Sequence, residues 1–322
     1  MIGMKKINYL FILFFLLSLT ILANEEELQN NLSEIHQSII TNRGLQQIRE
    51  QYMFNRTGIA GKSNSNQYFD GLFKLKSGYD NDNKDLNYDY KSKTKGFLMG
   101  TTSNYVKYPN LRLGVDYGYI KSYSKFQDDG GSHTKTRSYG LNMFASYNLD
   151  KWNFIGKIGY IKSKNILHVA NKNDHLTYKN KNFLVGSEFG RYIDIGDNFM
   201  TIYPYVGLNY NQYRTKDYGN MKNNLDGIVD NEIGISLYKL FWNNKLFFAG
   251  NVYLKHEISE RKHIGFANSK IDKVEVGKNT GNFNISLSYF TSPDFSINVR
   301  YEGFLNKNYY YDLIGIGISH NF

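Results

Sequence analysis

Histidine, aspartate and serine are the side chains of this sequence that could take part in acid–base or nucleophilic chemistry. Five of the seven histidines lie in polar segments: His133, His168, His175, His256 and His263. Asp128 and Asp129 lie near His133, and Asp174 directly precedes His175. An Asp–His pair could activate water, and a Ser–His pair could supply a nucleophile. Such residues in polar segments are more often simply solvated, and no spacing typical of a metal or phosphate site occurs. We therefore predict no enzymatic activity, no metal and no cofactor.

The composition narrows the class of protein. The 322 residues contain no cysteine, which excludes disulfides, zinc–cysteine sites, thiol nucleophiles and a lipid-modified N-terminal cysteine. Only 41% are hydrophobic, with one apolar run, so a bundle of membrane helices is excluded. A 16% aromatic content argues against disorder. The net charge of +10 fits nucleic acid, an anionic membrane surface or a chain-wide bias towards Lys. Because the lysines are scattered, we predict no nucleic-acid partner.

Residues 1–23 are predicted to be an export signal. Lys5 and Lys6 precede an apolar stretch from about Tyr9 to Leu22, and Ala23 is followed at once by acidic residues. This stretch has the length of a signal-peptide core and is short for a membrane span. We expect cleavage after Ala23, with an uncleaved anchor helix as the alternative, and a mature chain outside the cytoplasm.

A helix and a connector are predicted for residues 24–65. Apolar residues recur at three- and four-residue spacing up to about residue 52, which is typical of a helix with one apolar face. They include Leu28, Leu32, Ile35 and Ile39. Residues 56–67 are rich in Gly, Ser and Asn, which indicates a connector.

From residue 66 the pattern changes to the period of two that marks β-strands with one apolar face. In one segment Phe283, Ile285 and Leu287 alternate with Asn284 and Ser286. Soluble sandwiches show the same alternation, so this pattern does not by itself indicate a membrane protein. Twelve strands are predicted, with centres near Phe73, Met99, Val115, Leu141, Ile158, Val185, Val206, Ile235, Gly250, Leu287, Val299 and Ile316.

The lengths of the connections favour a barrel. Those after even-numbered strands are tight, as at Pro109 and Asn244. Most of those after odd-numbered strands are longer and polar: residues 78–93, 123–135, 162–182, 214–227 and 259–279. Short turns at one end and long loops at the other are typical of an outer-membrane barrel whose short turns are periplasmic. Trp152 and Trp242, beside tight turns, fit an aromatic belt at that interface. We predict an all-β, twelve-stranded antiparallel transmembrane β-barrel over residues 66–322.

The polar faces of these strands would line the lumen. Eight charged residues lie on them: Arg112, Asp116, Lys157, Glu188, Asp230, Glu232, Arg300 and Glu302. They could line a wet pore or guide a polypeptide, but we favour charge pairing that fills a narrow barrel. A barrel of this size can hold a helix. We therefore predict a pore helix with Leu28, Leu32, Ile35 and Ile39 on its apolar face, and a free periplasmic helix is the alternative.

The last predicted strand ends in an aromatic residue. Ile314, Ile316, Ile318 and Phe322 share one face of it. This end looks like the signal that the barrel-assembly machinery recognises, with Ile318 and Phe322 as its key residues, although His320 stands where an apolar residue or Tyr is usual. The predicted partners are this machinery, outer-membrane lipid and lipopolysaccharide, and we expect a monomer.

A helix followed by twelve antiparallel strands resembles the translocator domain of autotransporters, over nearly all of residues 30–322. The best-matched stretches are Leu111–Lys162, with R-L-G-V-D-Y-G-Y, S-Y-G-L-N-M-F-A-S-Y and W-N-F-I-G-K-I-G-Y, then Val185–Tyr210, with G-S-E-F-G-R-Y and I-Y-P-Y-V-G-L-N-Y, and lastly Phe283–Phe322. The resemblance implies a barrel in the cell outer membrane that secretes a polypeptide. Members of this family carry a long passenger before the barrel, whereas only residues 24–65 separate the predicted signal from the first strand. The resemblance therefore implies a vestigial or absent passenger.

Asn30 and Asn31 resemble the paired Asn at the self-cleavage site of some autotransporters, where a side-chain amide attacks its own backbone carbonyl. Cleavage there would release only residues 24–30 of the mature chain, and Asn pairs are common in this composition. Self-cleavage is therefore the weaker hypothesis. We predict a translocator-type barrel. The alternatives are a small porin-like channel and an adhesin that acts through its outer loops.

Overall fold

The computed structural model describes residues 32–59, 64–79, 90–105, 107–126, 133–168, 175–196, 200–216, 224–242, 245–259, 279–305 and 309–322. The predicted signal peptide, Leu28 and the Asn30–Asn31 pair lie outside the described residues. So do four residues weighed for chemistry in the outer loops: Asp128, Asp129, Asp174 and His263.

One helix, α1 (Leu32–Thr57), precedes the strands. It continues past the predicted end near residue 52 because Met53 and Phe54 are buried in an aromatic cluster. The Thr57 hydroxyl donates to the Met53 carbonyl at 2.7 Å, and Gly58, with a φ of 70°, follows in the left-handed conformation that glycine favours after a helix. In the described part of the chain, no helix has both the length and the apolar character that crossing a bilayer requires.

Thirteen β-segments follow in the described part of the chain. They are β1 (Ser65–Tyr79), β2 (Tyr90–Tyr105), β3 (Tyr108–Phe126), β4 (His133–Leu149), β5 (Trp152–His168), β6 (His175–Arg191), β7 (Ile193–Ile195), β8 (Met200–Lys216), β9 (Asn224–Phe241), β10 (Leu246–Glu257), β11 (Asn279–Ser292), β12 (Phe295–Leu305) and β13 (Tyr309–Asn321).

These segments form one closed antiparallel sheet. β1 pairs with both β2 and β13, and β6 pairs with β8, so the sheet closes on itself. β6 and β7 share one register against β8, with Gly190 opposite Tyr205 and Ile193 opposite Ile202. They are therefore two parts of one strand, interrupted at Tyr192. The described residues thus form a twelve-stranded barrel, and the predicted fold class is confirmed.

Side chains alternate between outward and inward positions along the strands. In β4 and β5 exposed and buried residues alternate almost without interruption. In the middle of these strands the exposed positions are apolar, as at Leu141, Met143 and Ile158, whereas the buried positions include Asn142 and Lys157. An apolar exterior around a polar interior is the reverse of a soluble sandwich and is what a barrel in lipid requires.

Several strands extend further at the loop end than the sequence pattern predicts. The loop predicted over residues 162–182 is largely wrong, because β5 continues to His168 and β6 begins at His175. The predicted loops 123–135 and 214–227 are likewise shortened by the strands on either side. These strand ends lack a continuous apolar face. Their backbone pairing nevertheless continues, because hydrogen bonds between strands do not require apolar side chains where the strands leave the lipid.

We expect the cost of an outward-facing arginine to depend on its depth in the membrane. Leu287 faces outward in the middle of β11, where Leu287→Arg should lower the free energy of unfolding by ~2–4 kcal/mol. Thr291 is exposed on the same face at the short-turn end, so Thr291→Arg should cost only ~0–1 kcal/mol. Urea unfolding in lipid vesicles measures both, and equal costs would contradict a lipid-facing Leu287.

Candidate functional site

Helix α1 lies inside the barrel. All nine residues from Arg43 to Gln51 are buried, and at about 3.6 residues per turn they cover every face of the helix. Side chains of α1 also bond to strands around the circumference: Gln47 to Asn66 on β1, Arg49 to Glu188 on β6, Asn42 to Glu302 on β12. The predicted position of the helix in the lumen is confirmed.

Helix α1 runs from the loop end of the barrel to the short-turn end. Near its start the His36 ring hydrogen bonds with the Ser122 and Ser138 hydroxyls at 2.7 and 2.6 Å, and both serines lie towards the β3–β4 loop. Near its end Arg56 forms an ion pair with Asp194, beside the short turn between β7 and β8. The N-terminal end of α1 therefore lies at the loop end of the barrel.

The first half of α1 packs against one side of the wall. Ile39 and Ile40 are buried in a cluster with strand residues, and Ile35 packs at its edge. The approach is close because Gly118 has no side chain: a Cβ there would lie 2.6 Å from Ile40 Cγ1. Of the predicted pore-helix residues, Ile35 and Ile39 therefore lie at this contact, and Leu32 is the first residue of α1. The strand residues of the cluster are Tyr68, Leu72, Leu98, Ile120, Ile161, Tyr311 and Leu313.

Arg43 is the centre of a buried charge network that joins α1 to the wall. Its guanidinium binds the Asp70 carboxylate and lies 3.7 Å from Glu50 Oε2. Glu50 in turn accepts a hydrogen bond from the Ser286 hydroxyl at 2.8 Å. Arg300 of β12 lies 3.9 Å from Asp70, so opposite charges neighbour one another throughout this group.

Arg49 forms a second buried ion pair. Its Nε donates to Glu188 Oε1 at 3.0 Å, and a terminal nitrogen binds the other carboxylate oxygen, which makes the pair bidentate. The Tyr203 hydroxyl donates to the same carboxylate at 3.0 Å, and the Tyr205 ring centroid lies 4.4 Å from the guanidinium. The two charged side chains are 4% and 0% exposed, so both partners are shielded from water.

The eight lumen-lining residues predicted from the sequence all lie on the inner side of the wall. Those not described above have polar neighbours there. They are Lys157 with Glu232 at 3.3 Å, Asp230 with Lys255 at 3.0 Å, Arg112 donating to Asn104 at 2.8 Å, Asp116 accepting from Tyr68 at 2.6 Å, and Glu302 accepting from Tyr311 at 2.8 Å. The arrangement is one of charge pairing and hydrogen bonding that fills the barrel around α1.

Comparison with known families decides the identity of this helix-filled barrel. The profile of the family described as the autotransporter β-domain matches residues 75–302 of the 322. The chain belongs to the autotransporter β-domain family.

Solved structures show the same fold for this autotransporter β-domain. It matches the translocator domain of NalP from Neisseria meningitidis with a TM-score of 0.62 at 11% identity, covering 88% of this chain and 98% of that one. It matches the transport unit of AIDA-I from Escherichia coli with a TM-score of 0.60 at 11% identity, covering 84% and 97%. The β-domain of the Bordetella autotransporter BrkA gives 0.56 at 11% identity, covering 80% and 100%. No curated protein matches the chain significantly.

Membership of this family places the autotransporter β-domain in the outer membrane. Its short turns are then periplasmic and its longer connections external. Helix α1 accordingly starts on the external side of the barrel and ends at the periplasmic turns, where the Tyr52 hydroxyl donates to the Asp150 carbonyl at 3.2 Å.

A small cavity of the autotransporter β-domain lies between α1 and the β8–β11 wall. Its volume of about 20 Å³ is room for about one water molecule. Asn42 and Gln46 line it from the helix, and Tyr205 and Asn282 line it from the wall. Polar side chains of α1 and of the wall therefore face each other across this cavity.

Four of the five histidines considered for chemistry are described, and these four lie at the outer ends of strands. The ring of His168 stacks on that of His133 at 4.5 Å between centroids and lies 5.7 Å from that of His175. His256 shares a hydrogen bond with Asn279 at 2.6 Å. Within the described ranges, no group of three or more His, Asp or Glu side chains is arranged to hold a metal ion. Sequence spacing does not reveal the histidine stack, because strand pairing brings the three rings together.

The C-terminal residues of the autotransporter β-domain belong to the seam between β13 and β1. The Phe322 amide donates to the Ser65 carbonyl at 2.8 Å, and its carbonyl accepts from the Asn64 amide at 2.9 Å. Ile318 and Phe322 are 47% and 58% exposed and face outward. The two predicted recognition residues therefore lie on one outward surface at the closing seam.

Sequence reasoning missed Arg43, Arg49 and Glu50 as residues of the lumen. They lie on parts of α1 outside the apolar face, and charged residues on a helix usually face water. Their number was one available signal. Three charged residues fall within eight residues of a helix that is predicted to enter the lumen, and the predicted lumen lining contains both acidic and basic residues.

Proposed function

We propose that this barrel carries a polypeptide across the outer membrane, delivering the chain that precedes α1 to the external side and retaining α1 in the pore. The observation that supports this is the direction of α1. His36 lies towards the external loops, whereas Arg56 lies at the periplasmic turns. β1 then begins at Ser65, at the periplasmic end. With this connectivity, residues upstream of α1 reach the external side only by crossing the membrane.

The chemistry of the lumen supports this proposal. The half of the lumen towards the external loops is lined by small neutral side chains, all of which are buried on the inner side of the strands. Among them are Ser122, Thr136, Ser138, Ser163 and Asn165. Such groups can exchange hydrogen bonds with a passing backbone without holding it by charge. Buried ion pairs instead hold α1 itself, through Arg43 and Arg49. α1 is therefore the segment that the pore holds in place.

The same proposal includes the route to the membrane. Residues 1–23 direct export and are removed, and the assembly machinery recognises the surface that contains Ile318 and Phe322. The barrel then resides in outer-membrane lipid as a monomer, without catalytic activity of its own. The outward position of both C-terminal residues supports this step, because a partner can contact them from the lipid side.

Epitope tags on intact cells test the proposed direction of the chain. A tag between Glu26 and Glu27 should bind antibody without permeabilisation, as should a tag at Asn268 in the β10–β11 connection. A tag at Asp294, in the tight β11–β12 turn, should bind antibody only after permeabilisation. If the tag at Glu26 behaves like that at Asp294 while Asn268 is labelled, the upstream chain has stayed in the periplasm and the proposal is wrong.

A further inference from the structure

Four cations stand in a row on the outer surface of the barrel, near its external end. Strand register places Lys95 opposite Lys121, Lys121 opposite Arg137 and Arg137 opposite Lys164, on the consecutive strands β2 to β5. All four side chains reach the outer surface. We call these four residues the cationic row.

More basic residues surround the cationic row. On the same outward face, Lys162 lies opposite Lys181, and Lys181 lies opposite Arg214. Further out are Lys91, Lys93, Lys125 and Lys135. In the described parts of β2 to β6, no Asp or Glu side chain faces outward beside them, and the described residues include no ion pair with a member of the cationic row.

Like charges directly opposite each other across strands destabilise a sheet. Placing four of them in succession would therefore weaken the sheet unless anions lie between them. The described residues supply no anion on this face, so an anion bound from the surroundings would relieve the repulsion between these cations.

The position of the cationic row along the barrel axis indicates what surrounds it. Immediately on the membrane side lie outward aromatic residues, Tyr139, Tyr160 and Phe183, and beyond them the apolar Leu141 and Ile158. An aromatic girdle marks the interface between hydrocarbon and polar headgroups in such barrels. The cationic row therefore stands at headgroup level, in the external leaflet.

The opposite side of the barrel has no such surface. Near the external ends of β10 to β13 the outward positions hold Leu254, His256, Asn279, Leu305 and Tyr310. No Lys or Arg faces outward there among the described residues. A general bias of this sequence towards Lys would spread cations around the whole circumference, so their one-sided distribution among the described strand residues indicates a specific surface.

We propose that the cationic row and its basic neighbours bind the phosphate groups of a phosphorylated glycolipid, the lipid A part of lipopolysaccharide in the external leaflet. The acyl chains would lie along the apolar belt and the phosphates would lie between the cations, which removes the cross-strand repulsion. An amphiphile satisfies both parts of this surface, whereas a soluble polyanion would use the cations and leave the adjacent apolar belt uncovered.

The test compares lipid binding by the purified full-length protein in a neutral detergent. The probes are bisphosphorylated lipid A and the same lipid after removal of its phosphates, with dissociation constants measured by native mass spectrometry. A cation near an anionic lipid surface raises affinity about fivefold. The wild type should therefore prefer the phosphorylated form by roughly a hundredfold or more. Equal affinity for the two forms would overturn the proposal.

Variants locate the site. The fourfold change to Gln of the cationic row should remove the preference, and should leave the melting temperature in neutral detergent unchanged or higher because repulsion is relieved. A matched control removes three Lys and one Arg at the periplasmic end and should keep the preference: Lys107→Gln, Arg191→Gln, Lys239→Gln and Lys245→Gln.

Three outcomes contradict this site. The first is an unchanged preference in the cationic-row variant. The second is equal loss in the control. The third is displacement of lipid A by heparin at equal charge concentration, which would indicate a soluble polyanion as the partner. If the Gln variant fails to insert, the wild-type comparison still decides, together with Lys→Arg changes at Lys95, Lys121 and Lys164, which keep the charge and should keep the preference.

Discussion

Deletion of α1 (Leu32–Thr57) is expected to turn a closed barrel into a conducting pore. With α1 in place, its residues 43–51 are buried on every face and a cavity beside them has room for about one water molecule, so we expect the helix to block ions at that depth. Closure of the barrel between β1 and β13 and between β6 and β8 uses backbone hydrogen bonds to which α1 contributes nothing. The barrel should therefore still assemble without the helix. Planar-bilayer recordings should show single-channel steps for the deletion variant and none for the wild type.

The opened pore should select cations. Among the described residues, seven carboxylates face the lumen from the strands against four cations: Asp70, Asp116, Glu188, Asp230, Glu232, Glu257 and Glu302 against Arg112, Lys157, Lys255 and Arg300. Deletion also removes Arg43, Arg49 and Glu50 from the lumen, which is a net loss of one positive charge. Because carboxylate linings favour cation passage, the reversal potential in a salt gradient should have the sign of a cation-selective pore.

A point variant displaces α1 without removing it. A Cβ at Gly44 would overlap the Asp116 carboxylate and the Phe144 ring, so Gly44→Leu should force the helix from its position and open the pore part of the time. Gly156 faces outward with open space around a Cβ, which makes Gly156→Leu the matched control with wild-type conductance. An assembled deletion variant with wild-type conductance would show that α1 is not the plug.

The barrel could be predicted from the sequence because lipid imposes a strict pattern on it. Every strand that crosses the membrane must alternate apolar residues that face lipid with residues that face the lumen. Residues such as Leu141 and Asn142 therefore reveal both the strand and the direction in which its side chains point. The pattern stops where the lipid stops. This is why Lys162–His168 was predicted to lie in a loop although the backbone ladder of β5 continues through it.

Contacts between distant segments could not be predicted in the same way. The partners of Arg43 and Arg49 lie on β1 and β6, and no local pattern specifies which strand a helix side chain will meet. The cationic row was likewise hidden, because Lys95, Lys121 and Lys164 look scattered along the chain and become neighbours only through strand register. Periodicity predicts which face a residue occupies, whereas register decides what lies beside it.

Arg49→Ala should destabilise the helix in the lumen more than alanine substitution of either partner in the other ion pairs between α1 and the barrel. Arg49→Ala leaves the Glu188 carboxylate fully buried with Tyr203 as its hydrogen-bond donor. Removing one partner of a buried pair costs about 3–5 kcal/mol, because the remaining charge is uncompensated. The lumen can avoid this cost by releasing α1 and admitting water. We therefore expect frequent pore opening in bilayer recordings, together with a lower urea midpoint.

Two further variants test the explanation for Arg49→Ala. The first is a control at an exposed ion pair. Arg56 pairs with Asp194 at the periplasmic turns, where both side chains are about one third exposed, so Arg56→Ala should cost no more than ~1 kcal/mol and leave the pore closed. Combining Arg49→Met with Glu188→Leu removes both charges and keeps much of the volume, so it should recover most of the stability that Arg49→Ala loses. If the double variant is as unstable as Arg49→Ala, the unpaired Glu188 charge does not cause the loss of stability. The lost packing of Arg49 against Tyr205 is then the better explanation.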